Sequence, residues 1–206
     1  MARTPSITDE EILQAARDVF FESGLSATTA EIARRAGISE GTIFRRFPTK
    51  HELFMAAMGI SPRPTWIALT EEFQESGGDD VRTNLTRLAH EMLAFFEELI
   101  PKMSMVMADG SARAEMFERM AEPPPVRGLK ALAKYLQSEQ RRGRVRRCDT
   151  EIAARMFLGS IQNYAFFEFC GFNDFLPMPQ QTFVRGVVDN LLRGIEQAPP
   201  SEQHED

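Results

Sequence analysis

Apolar residues recur every three or four positions along most of the chain, whereas no segment alternates apolar and polar residues as a strand does. This spacing is typical of helices that bury one face. The apolar stripes run through residues 12–20, 30–36, 43–47, 53–58, 66–73, 81–100, 126–136, 152–165 and 183–192, with two shorter helices predicted from Pro101 and through Met116 to Met120. The pattern therefore predicts an all-α protein.

Residues 28–50 hold two of these helices in a short, tightly punctuated segment. Thr28 and Glu31 have the spacing of a capping box, in which each residue satisfies a backbone donor near the other. Gly37 is placed where a helix needs a left-handed residue to end, and Ser39 is a favoured N-cap for the helix that follows. Pro48 ends that second helix. The segment therefore predicts two helices joined by a tight turn.

The second helix has a clear division between an inner and an outer face. Ile43 and Phe47 are four residues apart and are predicted to face inward. Gly41 lets the backbone approach a partner closely because it has no side chain. The outer face carries small and basic residues, namely Ser39, Thr42, Arg45 and Arg46. This arrangement predicts a helix-turn-helix, whose second helix enters the major groove of DNA.

The stretch from Ile12 to Phe54 resembles the tetracycline-repressor (TetR) family of bacterial transcription factors. Two positions depart from the commonest family pattern: Phe44 stands where a tyrosine is usual, and Arg46 where histidine or tyrosine is frequent. Arg46 adds a stronger phosphate ligand than the residue it replaces. The matching residues are Ala15-Ala16, Phe20, Gly24, Ala27-Thr28-Thr29, Ile32-Ala33, Ala36-Gly37-Ile38-Ser39, Gly41-Thr42-Ile43-Phe44, Phe47-Pro48-Thr49-Lys50 and Leu53-Phe54.

The predicted DNA-contacting residues fall into two groups by chemistry. Thr29, Arg46 and Lys50 are expected to contact phosphates and set the register on the duplex. Base contacts are expected from the exposed face of the second helix, with Phe44 against a thymine methyl group. The full predicted set is Thr28, Thr29, Ser39, Glu40, Gly41, Thr42, Phe44, Arg45, Arg46 and Lys50.

The resemblance also implies a ligand cavity and a homodimer interface in the larger helical part of the chain. Methionine and phenylalanine are dense between Trp66 and Phe172 and suit an adaptable apolar pocket, although core packing is the better explanation for any single one of them. The predicted ligand-binding residues are Phe95, Phe96, Met103, Met107, Met116, Phe117, Tyr164 and Phe167. In the family the last two long helices form the dimer interface, and here they supply Ile152, Met156, Phe157, Phe183, Val187, Val188 and Leu191.

Composition and charge are ordinary for a globular protein, and we expect it to work in the cytoplasm. The 206 residues are 43% hydrophobic and 26% charged, with a net charge of −6, yet basic residues outnumber acidic ones within residues 28–50. No apolar leader and no stretch of about 20 apolar residues is present. We expect a DNA-binding domain in residues 1–58, a ligand-binding and dimerisation domain in 59–196 and a disordered tail in 197–206.

Other chemical readings are weaker. Cys148 and Cys170 are interpreted as inert thiols rather than a redox pair. The basic run of residues 141–147 fits a solvated helix end better than a second nucleic-acid patch. The three histidines have no metal-ligand spacing, and no catalytic motif is present, so we predict no enzyme activity and no cofactor.

The sequence thus predicts a ligand-responsive transcriptional regulator. It would bind a palindromic operator as a homodimer, most simply as a repressor, and be released by a small apolar effector. One alternative is a DNA-binding dimer that a protein partner controls, without a small-molecule pocket. Another is a helical enzyme or carrier with a vestigial DNA-binding segment.

Overall fold

The computed structural model describes residues 7–60, 64–107 and 122–195. These residues form two compact units, one containing residues 7–60 and 101–107 and the other residues 64–100 and 122–195. All regular structure within these ranges is helical, which confirms the predicted all-α class. The helix predicted through Met116 to Met120 and the disordered tail predicted for residues 197–206 lie outside the described residues. The predicted domain boundary after residue 58 stays a prediction.

The first unit contains four short helices around a small core. They are α1 (Asp9–Ser23), α2 (Thr29–Ala36), α3 (Glu40–Arg46) and α4 (Lys50–Ala57), with a 3-10 turn over Gly24–Ser26. Helix α1 packs against both α2 and α4, and α2 packs against α3. The buried side chains that close this core are Ile12, Ala16, Val19, Phe20, Ile32, Ile43, Leu53 and Phe54. The four helices therefore enclose the core of a helix-turn-helix within residues 9–57.

The second unit is built from longer helices around one apolar core. They are α5 (Thr65–Ser76), α6 (Val81–Met107, whose last turns belong to the first unit), α7 (Pro124–Arg141), α8 (Thr150–Phe169) and α9 (Gln180–Ile195). A 3-10 turn over Phe172–Asp174 follows α8. Helix α7 packs between α5 and α8, and α8 packs against α9. The core side chains of α6 include Leu85, Leu88, Met92 and Leu93.

Pro101 does not begin a new helix, which corrects the sequence-based prediction. Helix α6 continues through Pro101 to Met107. Proline lacks an N–H and so removes one bond to the carbonyl four residues earlier, that of Glu97. Both Pro101 and Glu97 are exposed, so water can solvate that carbonyl and the break is tolerated. Proline alone is therefore a weak signal for the end of a helix on an exposed face.

The basic run after α7 has a structural role that the sequence did not reveal. Glu139 is fully buried and pairs with Arg142 at 2.9 Å and with Arg144 at 2.6 Å. Arg142 also donates to the backbone carbonyl of Gln74 at 2.8 Å, and Arg144 to that of Gly77 at 2.8 Å. The bond to Glu139 raises the pKa of Arg144. The predicted solvated helix end is therefore wrong for these two arginines, which join the ends of α5 and α7.

Candidate nucleic-acid interface

The turn between α2 and α3 has the predicted local geometry. The Glu31 N–H donates to Thr28 Oγ1 at 3.2 Å, and the Thr28 N–H donates to Glu31 Oε2 at 2.8 Å, which completes a capping box. Gly37 has φ 68° and ψ 31°, a left-handed conformation that side chains other than glycine rarely adopt. Ser39 Oγ accepts from the Thr42 N–H at 3.3 Å and caps α3. These local bonds fix where α3 begins.

The capping bonds also hold a carboxylate in its charged form. Hydrogen bonds from the Thr28 backbone and hydroxyl lower the pKa of Glu31, and the charges of Arg34 and Lys50 lower it further. Lys50, the first residue of α4, is half-buried. Among the two arginines of α2, Arg35 is held by Glu22 at 2.6 Å. Positive charge is therefore present on several elements of this unit.

Helix α3 presents a polar and aromatic outer face, as predicted. Ile43 is fully buried and anchors the helix, while Phe47 is half-buried behind it. Gly41 has open space where a Cβ would stand, since the nearest atom is Ser39 Oγ at 3.8 Å. The exposed predicted residues are Thr28, Ser39, Glu40, Gly41, Phe44 and Arg45, and the half-buried ones are Thr29, Thr42, Arg46 and Lys50. The ten residues therefore lie on α2, α3 and the first turn of α4.

Two of the predicted DNA contacts bond to each other across the turn. Thr29 Oγ1, at the start of α2, donates to Glu40 Oε2, at the start of α3, at 2.6 Å. The contact spans eleven positions of sequence and could not be read from local spacing. It fixes the direction of the Glu40 carboxylate on the outer face.

A third predicted contact, Arg46, has an internal partner. Its Nη1 donates to Asp9 Oδ1 at 2.8 Å, joining the end of α3 to the start of α1. The Arg46 side chain remains 29% exposed and that of Asp9 66% exposed. A phosphate that approaches Arg46 therefore competes with an accessible carboxylate, not with a buried one.

The predicted ligand-binding residues lie in separate contacts of the second unit. Phe95 and Phe96 pack together on α6 with ring centroids 5.4 Å apart. Tyr164 stacks on Phe183 at 4.3 Å, and its hydroxyl donates to the Met178 carbonyl at 2.8 Å. Burial raises the pKa of Tyr164, with Glu168 adding to the rise.

The remaining predicted liners are only partly placed. Phe167 is half-buried and packs edge-on against Phe172 at 5.4 Å. Met103 is half-buried on α6. Met116, Phe117 and the side chain of Met107 lie outside the described residues. The predicted pocket thus stays a prediction at these positions.

Trp66 is a buried residue of this region that the sequence reading did not single out as a liner. It is 4% exposed, packs against Phe95 at a centroid distance of 6.4 Å, and faces Gly128 of α7. A Cβ on Gly128 would lie 2.4 Å from the Trp66 ring. Trp66 Nε1 has no hydrogen-bond partner within the described part of the chain. A buried indole N–H normally donates to an acceptor. The signal available in the sequence was that Trp66 is the chain's single tryptophan and lies in an apolar helix stripe.

The predicted dimer residues divide between the core and the surface. Phe157, Val188 and Leu191 are buried within the second unit's own core, and their assignment to a dimer interface stays a prediction. The apolar spacing could not separate these faces because both sides of α8 carry apolar residues. Ile152 is 53% exposed and Met156 62% exposed, while Phe183 and Val187 are half-buried.

An exposed apolar cluster at the end of α8 was also missed. Phe175 is 89% exposed and Leu176 is 67% exposed. The cluster consists of Phe166, Phe169, Phe172, Phe175, Leu176 and Met178. A run of phenylalanines next to Gly171 and Pro177 was the signal available in the sequence.

Two negative findings apply to the described ranges only. No three His, Cys, Asp or Glu side chains there are grouped so that they could hold a metal ion. None of the helices in residues 7–60, 64–107 and 122–195 is long and apolar enough to span a membrane.

Two groups of curated relatives are similar in sequence to this chain, one over about half of its length and the other over about three quarters. A nucleoid occlusion factor SlmA of Marinobacter nauticus is 33% identical over 89 residues, 43% of this chain and 45% of the relative. The chain thus spans about half the length of the nucleoid occlusion factors it matches. An uncharacterised HTH-type transcriptional regulator of Mycobacterium bovis is 32% identical over 161 residues, 77% of this chain and 80% of the relative.

Solved structures share the fold. A TetR-family transcriptional regulator from Mesorhizobium loti superposes with a TM-score of 0.64 at 23% identity, covering 92% of this chain and 96% of that one. FadR of Bacillus subtilis, solved in complex with stearoyl-CoA, gives a TM-score of 0.58 at 19% identity, covering 92% and 100%.

Family models match both parts of the chain. Residues 12–57 match the model for bacterial regulatory proteins of the tetR family. Residues 83–194, more than half of the chain, match the C-terminal domain of AefR-like transcriptional repressors. With the helix-turn-helix geometry of α2 and α3, these matches show that the chain belongs to the TetR family of bacterial DNA-binding transcriptional regulators.

Proposed function

We propose that the protein is a repressor that binds a palindromic operator as a homodimer and leaves it when a small apolar effector binds. The observation that carries the DNA-binding half of this proposal is the outer face of α3. Ile43 anchors the helix in the core, and Ser39, Glu40, Phe44 and Arg45 are left exposed. A helix anchored on one side and polar on the other suits a major groove.

Different residues of this surface provide sequence specificity and affinity for DNA. Arg45 can donate two parallel bonds to guanine O6 and N7, and Phe44 can pack on a thymine methyl group. Lys50 and Arg46 supply positive charge for phosphates, which sets affinity and makes it dependent on salt. The protein as a whole carries a net charge of −6, so binding depends on this local surface.

The exposed residues of α8 and the half-buried ones of α9 support a homodimer. Ile152 and Met156 are one helical turn apart on α8, and Phe183 and Val187 have the same spacing on α9. Large apolar side chains left on adjacent helices are typical of an interface. A palindromic site then follows from two-fold symmetry, with half-sites about 34–36 Å apart.

Trp66, Phe95 and Phe96 support an effector with an apolar body and at least one hydrogen-bond acceptor. The three rings adjoin one another, and the Trp66 donor lacks a partner among the described residues. The similarity in fold to FadR, solved with stearoyl-CoA, agrees with a long-chain ligand. Such a ligand would bury its chain against the rings while an oxygen accepts from Nε1.

Selection of bound fragments from genomic DNA tests the DNA-binding half. We expect enrichment of a palindrome whose half-site centres lie about one helical turn apart. The affinity for the selected site should fall steeply between 50 and 200 mM salt, by roughly a hundredfold or more for a protein that neutralises several phosphates. Enrichment of no sequence would reject the proposal and favour a vestigial DNA-binding segment.

Tryptophan fluorescence tests the effector half, because Trp66 is the chain's single tryptophan. Titration with stearoyl-CoA and with aromatic lipophiles should give a saturable change in emission, and the compound that causes it should release the operator. Coenzyme A alone is the matched control for the acyl chain. Release of DNA by a compound that leaves the emission unchanged would place its site elsewhere.

A second candidate function is a DNA-binding dimer that a protein partner controls. The sequence similarity to nucleoid occlusion factors favours keeping it, although it covers less than half of this chain in the first of those relatives. Under this candidate no lipophile would change either the emission or the operator affinity, while the fragment selection would still yield a palindrome.

A further inference from the structure

We propose that Glu40 reads a cytosine in each half-site and that Thr29 is the positioning residue that aims it. The inference rests on the proposed function, since it concerns how the same DNA-binding surface chooses its sequence. The juxtaposition that carries it is the 2.6 Å bond from Thr29 Oγ1 to Glu40 Oε2 across the turn between α2 and α3.

The bond gives an acidic side chain a fixed position on a surface that meets an anionic polymer. Glu40 is the first residue of α3 and is exposed. An untethered glutamate has three side-chain torsions and could swing away from the phosphates. Thr29 removes much of this freedom, because its hydroxyl holds one carboxylate oxygen while the helix holds the backbone. The carboxylate therefore stays on the face that the major groove would cover.

Base chemistry then determines what the carboxylate tolerates. An ionised carboxylate only accepts hydrogen bonds. In the major groove guanine presents two acceptors and thymine one acceptor and a methyl group, so both repel it. Adenine offers an N6 donor, but its neighbouring N7 acceptor faces the second carboxylate oxygen. Cytosine offers the N4 donor without an adjacent acceptor and is the base that suits Glu40.

Thr29 leaves one oxygen for this bond. Oε2 accepts from Thr29, which leaves Oε1 to accept from the base. A hydroxyl that donates to one oxygen also fixes the plane of the carboxylate. Thr29 was expected from the sequence to contact phosphate, but phosphate oxygens only accept hydrogen bonds. While the single hydroxyl hydrogen of Thr29 is donated to Glu40, this side chain cannot also donate to a phosphate.

The test is selection of bound sequences by the full-length protein and by variants of the pair. The wild-type protein should show a cytosine preference at one position of each half-site. Glu40→Gln should move that preference to adenine, because an amide both donates to N7 and accepts from N6. The loss of cytosine preference should be about 5-fold or more, the fold-change of one good base contact. The other positions of the site should be unchanged.

Thr29 has its own matched pair of variants. Thr29→Val keeps the shape of the side chain and removes the donor, and should weaken the preference for cytosine over the other three bases at that position. Thr29→Ser keeps the hydroxyl donor and should keep the wild-type preference for cytosine. Thermal unfolding of each variant, followed by circular dichroism, distinguishes a loss of folding from a change in the position of the Glu40 carboxylate.

The outcomes distinguish this inference from the proposed function. Failure of the wild-type protein to select any sequence rejects the proposed function itself. Selection of a palindrome whose base preferences are identical in the wild-type and Glu40→Gln proteins overturns only the cytosine contact. An unchanged cytosine preference in Thr29→Val overturns the positioning role of Thr29. Glu40 would then recognise cytosine without help from Thr29.

Discussion

Arg46 Nη1 lies 2.8 Å from Asp9 Oδ1, so the last residue of α3 is tied to the first residue of α1. The two residues are 37 positions apart in sequence. The pair links α3 to a helix that makes no predicted contact with DNA. It also places a carboxylate beside an arginine that was predicted to contact phosphate.

Asp9→Asn tests which of these two roles Arg46 has. Removing the carboxylate charge releases the guanidinium, so operator affinity should rise for all sequences alike. The slope of log affinity against log salt should steepen by up to about 0.9, the value for one further phosphate. Affinity would be measured by fluorescence anisotropy at several salt concentrations. If Asp9→Asn and Arg46→Ala both leave the slope unchanged, Arg46 serves only as a brace within the first unit.

Lys50→Ala should weaken binding to operator and random DNA by the same factor. A phosphate contact carries no sequence information, so the slope against salt should become shallower by about 0.9. Lys134→Ala, an exposed lysine of α7, is the control and should change neither quantity. A change of base preference in Lys50→Ala would mean that this lysine reads bases instead.

Met156→Arg should convert the proposed homodimer into a monomer. Met156 is 62% exposed, so the charge would meet water in a monomer but would be desolvated in an interface. Light scattering gives the mass, and the helical circular-dichroism signal should be unchanged. Leu191→Arg is unsuitable because Leu191 is only 7% exposed. Val126→Arg, at an exposed position of α7, is the control, and a mutant that stays dimeric would place the interface elsewhere.

Glu139→Gln should destabilise the second unit by about 2–4 kcal/mol. The substitution leaves Arg142 and Arg144 without their shared anion at a fully buried position, although both arginines are partly exposed and water screens part of the cost. The free energy of unfolding in urea measures the effect. Glu151→Gln, in an exposed pair with Arg155, should cost less than about 1 kcal/mol. Equal costs for the two variants would contradict a structural role for Glu139.

His51 should make stability depend on pH just below neutrality. Burial lowers the pKa of His51 from its usual 6.5, with Glu52 opposing the shift. The unfolded chain therefore takes up the proton first as pH falls. The associated stability is present above about pH 6.5 and declines as pH drops toward the lowered pKa. His51→Gln should flatten this part of a plot of melting temperature against pH. A wild-type melting temperature that is constant from pH 7 to 5 would contradict it.

Local interactions were the part of the structure that could be predicted from the sequence. Thr28 and Glu31 form a capping box because a spacing of three residues suffices to bring their groups together. Gly37 adopts its left-handed conformation for an equally local reason. These local features allowed the helix-turn-helix to be predicted from the sequence, and the helix-turn-helix pointed to the family.

Contacts between distant elements could not be predicted in this way. The bond from Arg142 to the Gln74 carbonyl spans 68 positions, and nothing in either segment indicates the other. Periodicity also fails where a helix has apolar residues on two sides. On α8, Phe157 is 1% exposed and Met156 62% exposed, although the two are neighbours in an equally apolar stripe.

The packing of Trp66 on Gly128 restricts how the chain can change over time. A Cβ at position 128 would lie 2.4 Å from the indole, so each residue limits which substitutions the other accepts. A larger residue can replace Gly128 only after Trp66 has been replaced by a smaller side chain. If position 128 changed first, the new Cβ would clash with the indole. Among descendants of this sequence the two positions should therefore vary together, with a large ring found only opposite glycine.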